Sequence, residues 1–350
     1  TVLAELRSKF GKRPIGAEVP VFKSRKLSDR LADQILDSII RKSDAIIWLG
    51  RNRPWQFYLA SIQDAHRAGH NLWPVNDEFS SDVAPDSLLK IYQALDHHVA
   101  RILDALVDER TDAVLFTLNG MGSNRAQNHF LPQLLHRLNR EWMGERVPKT
   151  GASKRRGLFA QLRDTVPPGL QYSATRLLGE RVQDWVVNRE FLGALDWGRT
   201  AAFPVVTGGE GLIRLNVSGR ERDGLLDPDD KPYRDYIDWL RAELLAVNVQ
   251  PDGGRLVSDF IELNTVYPGP RNHMLPDIAL AWAPDKPATE IRSSTIGVIQ
   301  KKLATGRGGN HDGSSFALLP QSTMGKGVAR QLSHITDYGK IVARLLGAAS

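Results

Sequence analysis

Within seven residues, the run Gln63-Asp-Ala-His-Arg-Ala-Gly-His-Asn-Leu-Trp73 carries a carboxylate, Asp64, and two imidazoles, His66 and His70. These are metal-ligand chemistries. The chain has no cysteine, so thiolate ligands, thiol nucleophiles and disulfides are all excluded, and any metal must be held by His, Asp or Glu. Far downstream, Gly306-Arg-Gly-Gly-Asn-His-Asp-Gly313 presents His311 from a glycine-rich loop, a composition that lets backbone approach a ligand closely. The two pieces suggest one site assembled from distant segments. His66 and His70 are four apart, which on a helix would put both rings on one face. Gly69 costs a helix about 1 kcal/mol there and favours a loop or first turn. Asp64 is expected to be either a ligand or a partner that orients an imidazole.

The positioning elements follow from periodicity. Leu31, Ile35, Ile39 and Ile40 form one stripe in a helix from Leu27 to Leu49. Gln56-Phe-Tyr-Leu-Ala-Ser-Ile62 is apolar on both faces and reads as a buried parallel strand, which would put the histidine motif at a strand end. Asp86 is the expected N-cap of an amphipathic helix reaching Val107, with Leu88, Tyr92, Leu95, Val99, Ile102 and Leu106 on its apolar stripe. Ala113 to Thr117 reads as a second buried strand and Phe130 to Trp142 as a helix. Strand, helix, strand, helix is the pattern of an open α/β sheet, whose ligands bind beyond the strand ends.

The segment from Gly144 to Pro168 turns to Gly, Pro, Lys and Arg and is expected to be a linker, with a helix from about Ser173 to Phe191. Strands are expected within 200 to 217 and over Leu256–Glu262 and Ile278–Trp282. Helices are expected over Tyr233–Val247 and Ile335–Leu346, the last closed by Gly347. His97 and His98 fall in the amphipathic helix and are expected to be partly exposed. His129, His136, His273 and His334 have no constellation around them.

Composition bounds the function. Apolar residues make up 41% and charged residues 25%, the balance of an ordinary soluble globular chain. No apolar run is long enough to cross a bilayer, and Thr1 to Pro14 lacks the apolar centre of a secretory signal, so a cytoplasmic location is expected. The net charge of +6 is spread along the chain, and Lys154 to Arg156 is its densest run. No nucleic-acid partner is expected. Gly-x-Ser-x-Gly and Walker-type motifs are missing, which argues against elbow-serine hydrolysis and phosphate-loop chemistry.

The blocks Asp64 to His70 with Leu72-Trp73, Ile91-Tyr-Gln-Ala-Leu-Asp96 and Thr117-Leu-Asn-Gly-Met-Gly122, in that order, resemble the type I phosphodiesterase and nucleotide pyrophosphatase branch of the alkaline phosphatase superfamily. Leu215 to Pro228, with its Gly-Arg-Glu, Leu275-Pro-Asp-Ile-Ala-Leu-Ala-Trp282, Asn310-His311 and the closing Ile335 to Gly347 extend the likeness over roughly residues 25 to 347. The resemblance implies metal-dependent cleavage of phosphoric esters, with paired metal ions, usually zinc, and a Thr or Ser nucleophile. His70 and His311 would hold the first metal, His66 standing where many members have an aspartate, and Asn119 and Asn310 would face substrate oxygens.

Two departures limit it. Leu118 and Asn119 replace the Asp-His pair that binds the second metal; leucine cannot ligate, and an amide is a poor substitute for imidazole. Nothing in Thr1 to Lys26 resembles the strand that carries the family's first aspartate and its nucleophile. The expectation is therefore one α/β domain over residues 1–350, with a three-layer αβα alkaline-phosphatase-like sheet lacking its N-terminal strands and the 144–200 stretch as an excursion within it. It should hold one divalent metal, zinc first, and act on a small phosphorylated substrate. A degenerate, non-catalytic member that binds a phosphorylated ligand or a single metal is the alternative.

Overall fold

The computed structural model describes residues 1–11, 24–74, 82–144, 195–205, 209–303, 306–319 and 332–346. In chain order its elements are α1 (Val2–Phe10), α2 (Arg25–Asn52), α3 (Asp64–Asn71), α4 (Ser87–Leu106), β1 (Leu115–Phe116), β2 (Gly120–Ser123) and α5 (Leu131–Trp142). There follow β3 (Ala202–Pro204), β4 (Gly211–Leu215), α6 (Lys231–Leu245), β5 (Asn248–Val249), β6 (Val257–Glu262), α7 (Leu263–Val266) and β7 (Ile278–Trp282). The chain closes with β8 (Glu290–Ser293), β9 (Gly297–Gln300), β10 (Gly309–Asp312), β11 (Ala317–Leu318) and α8 (Asp337–Leu345). The content is mixed α/β. Where one domain over 1–350 was expected, the described residues divide into two compact units, Thr1–Ser123 with Gly306–Ser350, and Asn124–Thr305.

The first unit is helical with two short ribbons. Leu31, Ile35 and Ile39 of α2 pack with Ala68, Leu72 and Ile91 into its core, where the stripe in α2 predicts them. Asp86 does stand at the N-cap of α4, but its carboxylate pairs with Lys90 at 2.7 Å instead of capping the backbone. β1 pairs antiparallel with β11, and β2 pairs antiparallel with β10 in the register Met121↔His311. The Phe116 and Tyr338 rings stack with centroids 4.1 Å apart.

The second unit holds an antiparallel sheet in the order β3-β4-β7-β6 and a smaller one in the order β5-β8-β9. α5 lies along β3 and α6 along β6. The core joins Phe130, Leu134 and Leu138 with Ile213, Leu240 and Ile278. Asn139 of α5 docks that helix on β3: its Nδ2 donates to the Ala202 carbonyl at 2.8 Å and its Oδ1 accepts from the Ala201 and Ala202 N–H groups. β7 has the bounds expected for it, and α5, α6 and β6 agree within a few residues.

Two expected strands differ. Residues 56–62 form no strand: their backbone has no hydrogen-bond partner among the described residues, and Phe57 and Leu59 are exposed. A two-sided apolar run states a preference for a sheet, but a strand exists only through its ladder. Of 113–117, only Leu115 and Phe116 pair, and they pair antiparallel. All ladders between the named strands are antiparallel, so the parallel pattern read from element order is not the one seen. The expected linker beyond Gly144, the helix over Ser173–Phe191 and Gly347 lie outside the described residues. Among the described residues no helix is long and apolar enough to cross a membrane.

Candidate metal centre

The histidine motif is a helix. α3 takes in Asp64 to Asn71 despite Gly69, and the close approach of its neighbours explains the glycine. A Cβ at position 69 would come within 2.7 Å of the Met121 side chain on β2. A Cβ at Gly309 of β10 would lie 2.1 Å from the Gly69 carbonyl oxygen. Glycine at both positions lets strand backbone lie directly on helix backbone, and helical spacing then aims His66 and His70 at β10.

There they meet His311. The Nε2 atoms of His66 and His70 are 2.8 Å apart, those of His70 and His311 3.2 Å, and those of His66 and His311 3.0 Å. The circle through three such atoms has a radius of roughly 1.7 Å, shorter than a zinc–nitrogen bond of about 2.1 Å, so one ion can touch all three from one side of their plane. His70 is buried, while His66 and His311 are exposed and leave the cluster open to solvent.

Hydrogen bonding fixes the tautomer of the buried ring. His70 Nδ1 lies 2.9 Å from the Gly309 carbonyl, which can only accept, so Nδ1 carries the proton and Nε2 turns its lone pair to the cluster. Burial pushes the His70 imidazole down to about 4; the Gly309 bond works against this, and Arg307, His66 and His311 add to it. The ring is therefore neutral near pH 7, which a metal ligand must be. Three ring nitrogens this close need something electropositive among them, whether a ring proton or a metal ion. Among the described residues, this is the group of His, Asp and Glu side chains that could hold a metal ion.

The other expected site residues lie elsewhere. Asp64 does not join the cluster: its side chain is wholly buried, with Oδ2 2.6 Å from Lys42 Nζ. At about 100° per residue, it sits well round the helix from both histidines. Asn310 neighbours His311 along β10, so alternation places it on the opposite face of the ribbon, where its Oδ1 accepts from the His311 N–H at 2.9 Å. Asn119 is exposed, and its Nδ2 donates to the Gly120 carbonyl at 3.1 Å. Leu118 beside it is 68% exposed.

Sequence reasoning missed three contributors. The Gly309 carbonyl is a backbone group with no side-chain signature, although Gly308-Gly309 ahead of the histidine was a visible hint. Met121 carries no metal pattern, and Lys42 looks like any solvated helix lysine. Compared with protein-family models, with curated proteins and with solved structures, the chain matches none.

Proposed function

We propose that His66, His70 and His311 form a single divalent-metal centre, with zinc the first choice, and that it serves the hydrolysis of phosphoric esters. The observation that carries the reading is the convergence of three Nε2 atoms within 3.2 Å, one of them held in the metal-ready tautomer by Gly309. Three imidazoles with an open side is the donor set of catalytic zinc sites, closed structural sites having four. His66, His70 and His311 would hold the ion, which would supply Lewis acidity toward a phosphoryl oxygen and lower the pKa of a bound water. The chain's own residues do the rest: burial keeps His70 neutral, the Gly309 carbonyl holds its ring and tautomer, and the exposed rings of His66 and His311 leave a path for a small anionic ester.

The substrate class comes from the resemblance of the 64–70, 117–122 and 310–311 blocks to the phosphodiesterase and nucleotide pyrophosphatase branch. With it comes the finer fold assignment, a three-layer αβα sheet.

A specific observation favours a second reading, a non-catalytic member that binds one metal or a phosphorylated ligand. Leu118 points into solvent with no ligating atom, and Asn119 bonds its own neighbour's carbonyl. Elemental analysis of purified protein together with nitrophenyl phosphate mono- and diester assays separates the two. The hydrolase reading expects one zinc per chain and turnover that a chelator abolishes. One zinc without turnover leaves the binding protein, and no metal at all defeats the hydrolase and leaves only a metal-free binder of a phosphorylated ligand.

A further inference from the structure

We infer that the buried Lys42–Asp64 pair is a positioning device, fixing the rotation of α3 about its axis and so the convergence of His66 and His70 on His311. The inference rests on the metal-centre reading above. α3 spans only Asp64 to Asn71, its N-cap residue makes no side-chain capping bond, and a helix of two turns has little stability of its own. What it touches therefore sets its orientation.

On the face toward α2 and α4 the apolar contacts are Ala68 and Leu72, both fully buried. Such contacts are non-directional and tolerate rotation. The Nζ–Oδ2 bond of 2.6 Å is directional and nearly sealed, with side-chain exposures of 10% and 0%. Turning the helix by about 20° moves a side-chain tip 5–6 Å from the axis by about 2 Å. That displacement equals a whole metal–nitrogen bond of about 2.1 Å.

The pair is poorly arranged for stability. Asp64 Oδ1 is buried without a hydrogen-bond partner, as are the hydroxyls of Ser38 and Ser43 on α2. Buried ion pairs are often matched or bettered in stability by apolar residues of similar size, and their best-attested use is to specify one geometry. Geometry is what a three-point site needs.

The test separates the two roles. In the double variant Lys42→Met/Asp64→Leu, the metal-free protein should melt at the wild-type temperature or above. Its Zn²⁺ affinity, measured against a chromophoric chelator, should fall 10- to 100-fold, the range for lost metal-site support. The visible spectrum of the Co²⁺-loaded form should shift. Asp64→Asn, which keeps an acceptor for Lys42, should restore most of the affinity and the wild-type spectrum. Should the double variant not fold, Lys42→Met, which removes the contact from the other side, supplies the comparison with wild type: a tenfold or greater loss of affinity at unchanged metal-free stability supports the device, and wild-type affinity overturns it. Wild-type affinity and spectrum in the double variant overturn the inference and leave the metal centre standing, as does affinity that falls only in step with metal-free stability. A wild-type protein that binds no Zn²⁺ overturns both.

Discussion

The two units bury different things. In Asn124–Thr305 a broad apolar core backs the sheets, and its buried carboxylate Asp277 is fully engaged: it accepts from both terminal nitrogens of Arg220 at 2.7 Å and from the Leu215 N–H at 2.7 Å. In the unit that carries the histidines, the core is a handful of residues on α2, α3 and α4. Ser28, Ser38 and Ser43 leave their hydroxyls buried and unbonded there; His129 Nδ1, Asn216 Oδ1 and Asn264 Oδ1 are likewise buried and unbonded in the sheet unit, but against a far larger apolar core. Apolar burial stabilises at roughly 25 cal/mol per Å² whatever the direction of contact, whereas an unpaired buried polar group costs about 1–3 kcal/mol. One unit thus stands on its core. The other leans more on directional contacts, among them the cluster of His66, His70 and His311 proposed to hold a metal. An ion that binds only the folded form adds about 4 kcal/mol at a thousand times its dissociation constant. Zinc should therefore raise the melting of the histidine unit and leave the sheet unit where it was.

The sharpest way to break this contrast is His70→Ala. It removes the buried ligand, so bound zinc should drop from one per chain to none by elemental analysis, and the zinc-dependent part of the melting curve should vanish. An unchanged zinc content would remove the basis of the contrast. Leu240→Ala works on the other side: this fully buried core leucine should cost 2–5 kcal/mol in chemical denaturation of the sheet unit, with zinc affinity unaltered.

Acid probes both units at once. Burial pushes His129 of the sheet unit, like His70, down to about 4 from an ordinary 6.5. Each ring takes its proton first in the unfolded chain. Stability is whole above about pH 6.5 and falls as pH drops towards 4, by roughly 3 kcal/mol for His129 at 1.36 kcal/mol per unit. Denaturation across that window should show both losses, with added zinc offsetting only the one in the histidine unit; zinc protection of both would contradict the division. Gly309→Ala is the mildest. A methyl 2.1 Å from the Gly69 oxygen must push β10 from α3, and zinc affinity should weaken 10- to 100-fold while the sheet unit melts as before.

How much of this was legible depended on the kind of signal. Helices α2, α4, α5 and α6 were readable because apolar residues repeat at helical spacing over several turns, but the buried faces were read less well. Ile40 and Tyr92, placed on the stripes, are exposed, while Ile91 and His98, the latter expected to be partly exposed, are buried because α4 is turned by about one residue from the stripe. The triad was readable because imidazoles are rare and the 66–70 and 311 blocks carried a resemblance. Residues 56–62 misled, since an apolar run records what a segment would bury and not whether a partner is there to pair with it. Gly69 misled as well. Its propensity cost argued against a helix, but the approach of Met121 and β10 outweighed it. Asp64 was placed near the metal by proximity in sequence, whereas the helix turns it away to meet Lys42, a partner that no spacing rule connects to it.

The open run from Trp55 to Ile62 has a practical consequence. It holds no charge, no proline and no glycine, is rich in aromatic and β-favouring residues, and its amides are unpaired among the described residues. Such windows seed intermolecular cross-β stacking. Concentrated samples should therefore cloud through this stretch first, and Phe57→Lys, which puts a charge on a side chain already 47% exposed, should lift the concentration at which light scattering begins.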